Sequence, residues 1–260
     1  MALEHPAYGQ LRQVTPTAAV LLADNPSSMT LDGTNTWILR APGSTDCVVV
    51  DPGPKDKKHT AKIAEVAGPV ALTLITHRHH DHTGAIKRHV KSTKSPVRAV
   101  DPKFLHGSDK PLEDGEIIEA AGLTIRVLAT PGHTKDSVSF VLDDAVLTGD
   151  TILGRGTTVI DTTDGTLADY LASMDRLVDV GAGKTLLPAH GPDHADTAEV
   201  AKYYIAHRQE RLDQVREALK TLGPKAKPMK VVRHVYADVD KKLWPAARSS
   251  VKAQLDYLRR

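Results

Sequence analysis

Between Thr36 and Pro188 short apolar runs alternate with polar turns that carry His or Asp. The runs at 37–39, 48–50, 71–75, 97–100, 123–128, 138–142, 145–147 and 185–188 are rich in Val, Ile and Leu and have the lengths expected of strands. Asp51-Pro52-Gly53-Pro54 is turn chemistry, and Asp143-Asp144 separates two runs as a tight hairpin turn. Helical spacing falls between the strands. Leu167, Leu171, Met174 and Val178 make one apolar stripe, and Thr166 with Asp169 resembles a capping box at its start. Ile63, Val66 and Ala67 predict a shorter helix before Gly68-Pro69, and residues 85–90 make about two further turns. Strands interspersed with surface helices predict a layered α/β fold.

After Pro188 the pattern changes. Leu212, Val215, Leu219 and Leu222 predict a long amphipathic helix over about 201–222, closed by Gly223-Pro224. A linker at 224–228 leads to three short helices at 229–236, 239–243 and 246–258; the last keeps Val251, Leu255 and Leu258 inside and Arg248, Lys252 and Arg259 outside. The expected division is a domain at 1–200 and a helical domain at 201–260. Charge divides at the same place. The chain is near neutral, with 34 Lys and Arg against 32 Asp and Glu, yet residues 201–260 hold 15 of the bases and 6 of the acids. Such a tail is either a polyanion-binding appendage or a solvated helical surface.

Of 260 residues 40% are apolar and 25% charged, which excludes disorder, collagen and coiled coil. No apolar run approaches the ~18 residues of a membrane span, and residues 1–6 lack the features of a secretory signal, so a cytoplasmic location is expected. Cys47, the one cysteine, lies in an apolar run and reads as a core thiol in a reducing compartment.

Histidine is abundant, 13 residues, and five of them fall between His77 and Val90. Thr76-His77-Arg78-His79-His80-Asp81-His82 follows a buried-looking strand and supplies the imidazole and carboxylate donors that suit zinc. His133, Asp150 and His190 each follow another apolar run, each with a glycine beside it. His80, His89 and Arg78 stand off this pattern and read as solvated or packing residues.

These elements, in this order, resemble the metallo-β-lactamase-fold hydrolase superfamily. The resemblance implies an αββα sandwich with a small C-terminal winged-helix-like domain. It also implies two zinc ions per chain, one on His77, His79 and His133 and one on Asp81, His82 and His190, with Asp150 bridging. A pair of zinc ions brings the pKa of bound water toward ~7 and supplies a hydroxide nucleophile at neutral pH. Asp81, besides its place among the ligands, would orient that nucleophile and take its proton, which makes it the catalytic acid–base residue.

The bridging Asp150 is generally absent from true β-lactamases of the superfamily. Glyoxalase II has a Gly-Cys-Gly-Arg loop where this chain has Leu153-Gly154-Arg155-Gly156-Thr157-Thr158. That segment, with Thr34-Asn35-Thr36-Trp37, Ala189-His190-Gly191-Pro192 and Tyr204-Ile205-Ala206-His207-Arg208 followed by Arg211, is similar to the endoribonucleases known as β-lactamase-like protein 2 and their bacterial relatives. The similarity implies cleavage of single-stranded RNA, and a basic tail agrees with it because cations tracking phosphates supply most sequence-independent affinity. Asn35, Gly154, Thr157 and Thr158 are the candidate substrate-binding residues. Aromatic residues for base stacking are scarce, no motif marks a leaving-group acid, and the chain stops at Leu258-Arg259-Arg260 without the hairpin of a full winged helix. The alternative is a small-molecule ester, thioester or lactone hydrolase, and a third class is a catalytically idle protein whose tail recruits nucleic acid. No membrane partner is expected; a homodimer through the tail helices is compatible with the pattern.

Overall fold

Val48 and Val50 turn to one side of their strand and Cys47 and Val49 to the other, and all four are buried. A strand buried on both faces lies between two layers. The same division recurs along the chain in the computed structural model, which describes residues 7–259. The N-terminal segment expected to lack a secretory signal lies outside the described residues.

The first sheet runs in chain order: β1 (Leu11–Gln13), β2 (Ala18–Leu22), β3 (Asn35–Leu39), β4 (Cys47–Val50), β5 (Val70–Leu74) and β6 (Val97–Arg98). It is antiparallel up to β4 and parallel from there. The second is β7 (Ile117–Ala120), β8 (Leu123–Ala129), β9 (Val138–Val141), β10 (Ala145–Gly149) and β11 (Thr185–Pro188), antiparallel except between β10 and β11. Asp143 and Asp144 make the expected turn, where the Leu142 N–H donates to Ala145 O at 2.9 Å. Strands β1, β2 and β7 escaped the sequence pattern. β2 is a continuous Ala-Ala-Val-Leu-Leu run without alternation, and β1 and β7 are edge strands with exposed residues.

The faces of the two sheets meet in one core, where Val20, Trp37, Val48 and Leu74 pack with Ile125, Phe140, Leu147 and Leu187. Outside the first sheet lie α1 (Lys57–Ala67), with Ile63 on Leu21, Ile38 and Val49, and α3 (Ile86–Thr93), with Ile86 and Val90 on Ile75 and Val97. A single turn, α2 (His80–Thr83), precedes α3. Outside the second sheet, α4 (Leu167–Gly181) starts at the Thr166 cap, whose side chain accepts from the Asp169 N–H as the capping pattern predicts. Its Tyr170, Met174 and Leu177 pack on Val146 and Leu186. The layers therefore run αββα.

Helix α5 (Thr197–Leu222) opens at Asp196, whose carboxylate accepts from the Glu199 N–H. Its first half gives Ala201 and Tyr204 to the α4 layer. Its second half gives Val215 and Ala218 to a separate core with Val231 and Val232 of α6 (Pro228–Val235) and Val251 and Leu255 of α7 (Trp244–Leu258). One continuous helix thus belongs to both cores and fixes the C-terminal helices against the sandwich. Among the described residues no strand follows β11, and no helix is long and apolar enough to cross a membrane.

Candidate metal centre

Strands β4 and β5 are parallel, and β8, β10 and β11 share one direction within the second sheet. The residues just beyond these ends meet: Asp51, Thr76 and His77 from the first sheet with His133, Asp150 and His190 from the second. At Gly149 the φ of 53° and the missing side chain let this happen, since a Cβ there would lie 2.8 Å from Thr76 Cβ.

Two groups of donors result, His77, His79, His133 and Asp150 in one and Asp81, His82 and His190 in the other. In the first, His79 Nδ1 lies 3.1 Å from His77 Nε2 and 3.0 Å from His133 Nε2. Asp150 Oδ2 lies 3.8 Å from His77 Nε2 and 3.5 Å from His133 Nε2. The other oxygen of the same carboxylate, Oδ1, is 3.5 Å from His82 Nε2 and 3.3 Å from His190 Nε2. Asp81 Oδ2 completes the second group, 3.3 Å from His82 Nε2 and 3.1 Å from His190 Nε2. Asp150 thus turns one oxygen to each group.

The opposite nitrogen of each ring is engaged. His82 Nδ1 donates to Asp51 Oδ2 at 2.8 Å, His133 Nδ1 to Val159 O at 2.6 Å and His190 Nδ1 to Gly33 O at 2.9 Å. The Thr76 hydroxyl donates to Asp51 Oδ2 at 2.7 Å, so its oxygen is left to accept from His77 Nδ1 at 3.1 Å. His79 Nε2 faces Asp161 Oδ2 at 3.4 Å, and Asp161 is itself paired with Arg78 at 2.6 Å. Such outer contacts fix the ring orientation and turn the remaining nitrogen into a metal ligand.

The donor set fits divalent cations on two counts. His82 Nε2 and Asp150 Oδ1 are buried without a hydrogen-bond partner although both point into the cluster. His79 Nδ1 also lies 3.0 and 3.1 Å from two further imidazole nitrogens, near the ~3.3 Å edge of a tetrahedron with metal–nitrogen bonds of ~2.0–2.1 Å. Electrostatics agrees. Burial pushes His77 well down, helped by His82, and pushes His133 down against the pull of Asp150; both rings are the neutral form that a metal requires. Burial also opposes ionisation of Asp81 and Asp150, but His82 and His190 outweigh it and hold both carboxyls well below the usual range. Conversely, burial opposes the charge on His190, and Asp150 and Asp81 lift it to about 9. A site without metal neutralises its acids with protons on histidine, the role a cation would fill.

The remaining candidates separate. Thr158 lies on the cavity beside the cluster, but its hydroxyl donates to Asp150 O, so it also braces the bridging residue. Thr157 is half-buried on the same wall. Asn35 commits its amide to Pro188 O and Gly191 O, both at 2.9 Å, and holds the loop that carries His190. Gly154 is absent from that wall; its N–H donates to His190 O at 2.8 Å, and a Cβ would lie 2.1 Å from Pro192 O. Arg78 is tied to Asp136, Asp161 and Asp164, and His89 is buried against the Thr73 hydroxyl at 2.9 Å; His80 is exposed.

Sequence reasoning misses Asp51, which the sequence presents only as turn chemistry. Its carboxylate accepts from the Thr76 N–H and hydroxyl and from His82, and its φ of 52° places it in the left-handed region that Asp tolerates better than most residues. The available signal was its position, an acid directly after a buried strand, as with Asp150. Also missed was the cavity wall. A cavity of about 360 Å³ contains His133 and Asp150 and is closed on its far side by His207, Arg208 and Arg211 of α5 and by Tyr236, Leu243 and Ser250.

Residues 29–190 match the metallo-beta-lactamase superfamily, and residues 228–260 match the beta-lactamase associated winged helix domain. A beta-lactamase-like protein 2 homolog of Drosophila melanogaster is 31% identical, over 95% of this chain and 89% of that protein. An atrochrysone carboxyl ACP thioesterase of Aspergillus chevalieri is 33% identical over 84% of this chain and 69% of that protein. The crystal structure of a beta-lactamase domain protein from Burkholderia ambifaria has the same fold, with a TM-score of 0.84 at 21% identity, covering 98% of this chain and 89% of that one.

Proposed function

The chain belongs to the metallo-beta-lactamase superfamily, and from that premise we propose that it is a dinuclear zinc phosphodiesterase that cuts single-stranded RNA internally. One observation carries this reading: the cavity at the metal centre is lined by Arg208 and Arg211, neither paired with a carboxylate among the described residues, and by Arg155, which is paired with Asp32, while the only acid in its lining among the described residues is Asp150, which is turned to the metal cluster. A wall of that sign selects an anionic substrate. Two of those arginines come from the basic C-terminal sixty residues, so the tail and the metal ligands share one cavity.

His77, His79 and His133 with Asp150 Oδ2 would hold one ion, and Asp81, His82 and His190 with Asp150 Oδ1 the other. Two zinc ions there would acidify a water molecule and neutralise charge on a phosphoryl oxygen. The protein does the rest. Asp81 keeps its side chain about a quarter exposed (26%), whereas Asp150 is nearly closed off (10%). Asp81, the more exposed of the two carboxylates, is therefore the one that would align a water beside the metals and accept its proton. Residues 156–158 line the cavity and would receive a phosphate oxygen through their backbone N–H groups and the Thr157 hydroxyl.

The test is incubation of purified protein with an unstructured, end-labelled RNA. Internal cuts are expected, and they should vanish with a chelator and in Asp81→Asn and His190→Ala. Intact RNA with the metals bound would overturn the reading. A second reading rests on the mouth of the same cavity, where Met29 and Leu243 stand 54% and 45% exposed beside Leu31 and Val239. That apolar rim suits an acyl chain, and the Aspergillus relative is named as a thioesterase, so acyl thioester hydrolysis is the alternative.

A further inference from the structure

Arg208 is 3% exposed and has no carboxylate within ion-pair distance among the described residues. One guanidinium nitrogen donates to Thr158 O and the group lies over the Tyr170 ring, 5.0 Å from its centroid, while Nε is buried without a partner. One residue back, His207 Nδ1 is likewise buried and unpartnered. One turn on, Arg211 stacks over Tyr236 with its Cζ 5.1 Å from the ring centroid and donates to the Gln214 side chain at 2.7 Å; it too lacks an acid. All three line the metal cavity. Cations are seldom withdrawn from water without a counter-charge, and buried Arg208 and half-buried Arg211 share that deficit on one helix face, beside a His207 ring that burial and the two arginines keep neutral.

We infer that His207, Arg208 and Arg211 form a phosphate subsite on the α5 wall of the metal cavity, which holds a second backbone phosphate of the substrate while the scissile one lies at the metal centre. The inference rests on the phosphodiesterase reading and adds to it the source of the preference for a polyanion. Arg211, held flat by Tyr236, and the His207 ring supply the donors to the phosphate oxygens. Arg208, deeper, adds fixed positive charge and anchors the wall to Thr158, hence to the Asp150 backbone. A substrate with a single phosphate uses the metal centre alone, whereas an oligonucleotide uses both.

The experiment compares Arg211→Gln and His207→Gln with wild type, all metal-loaded, on single-stranded RNA and on bis(4-nitrophenyl) phosphate, which carries one phosphate. The ratio of kcat/KM for RNA to that for the small ester should fall about tenfold in Arg211→Gln, mostly through KM, and the salt dependence of RNA cleavage should lose about one unit of slope. An unchanged ratio overturns the subsite. Should wild type hydrolyse the small ester and leave RNA intact, the RNA reading fails by itself; the subsite is then judged by competitive inhibition of ester hydrolysis with adenosine 3′,5′-bisphosphate. Weaker inhibition of Arg211→Gln supports it, and equal inhibition of both proteins contradicts it.

Discussion

The metal cluster and the α5 wall both contain buried polar atoms without hydrogen-bond partners, but they are orphaned in different ways. In the cluster the orphans face one another, His82 Nε2 and Asp150 Oδ1 at 3.5 Å, around a space sized for an ion. On the wall the orphans, His207 Nδ1 and Arg208 Nε, belong to side chains that line a cavity of about 360 Å³, sized for a molecule. The first arrangement is rigid, with each histidine held from behind by a carboxylate, hydroxyl or carbonyl. The second rests on hydrogen bonds to Thr158 O and the Gln214 side chain and on aromatic faces. On the proposed reading the first group performs hydrolysis and the second chooses what is hydrolysed.

The strongest way to break that separation is Asp150→Ala, which removes the one carboxylate that faces both donor groups. Activity should fall by ~10³-fold or more, and metal content, measured by elemental analysis, should drop with it. Retention of both ions would show that the halves are independent. Asp51→Asn acts one shell out. It removes the charge that orients His82 and the Thr76 hydroxyl while keeping the shape, and metal affinity in a competition titration should fall ~10–100-fold.

Proton linkage gives a third test. Because Asp150 and Asp81 lift His190 to about 9 against its burial, the metal-free site holds a proton there below that pH, and metal entry must expel it. Apparent affinity therefore rises with pH between 7 and 9, about tenfold per unit for each proton released, and calorimetry in buffers of different ionisation heat would count the protons. The smallest effect is expected at the junction of the two regions. Arg208→Met leaves the Thr158 carbonyl without its donor and should cost about 1–3 kcal/mol in denaturant unfolding. Metal content should remain at the wild-type level; its loss would mean that the wall is part of the metal centre.

The cluster was legible in the sequence because metal chemistry restricts residue type and four of its donors lie within six residues, His77 to His82. Strand ends then supplied the other three. Asp51 and Asp161 were not legible, because an outer acid is defined only by the ring it touches, and those rings come from 31 and 82 residues away. The layered α/β fold was legible in short β-branched runs between helical stripes, and its αββα order followed from the resemblance alone; β2 was not legible, since Ala-Ala-Val-Leu-Leu holds a single β-branched residue and suits a helix as well as a strand. In α5 the apolar spacing marked Leu212 and Val215 as core but was silent on His207 and Arg211. Amphipathicity tells which face is buried, not what that face looks into.

The most direct test of the account is the specificity of one metal-loaded preparation toward single-stranded RNA and an acyl thioester, each as kcat/KM. The account predicts that RNA is the preferred substrate and that added salt erodes the preference, as expected of a wall of arginines and histidine. Thioester turnover with intact RNA would contradict it and assign the cavity to an acyl chain.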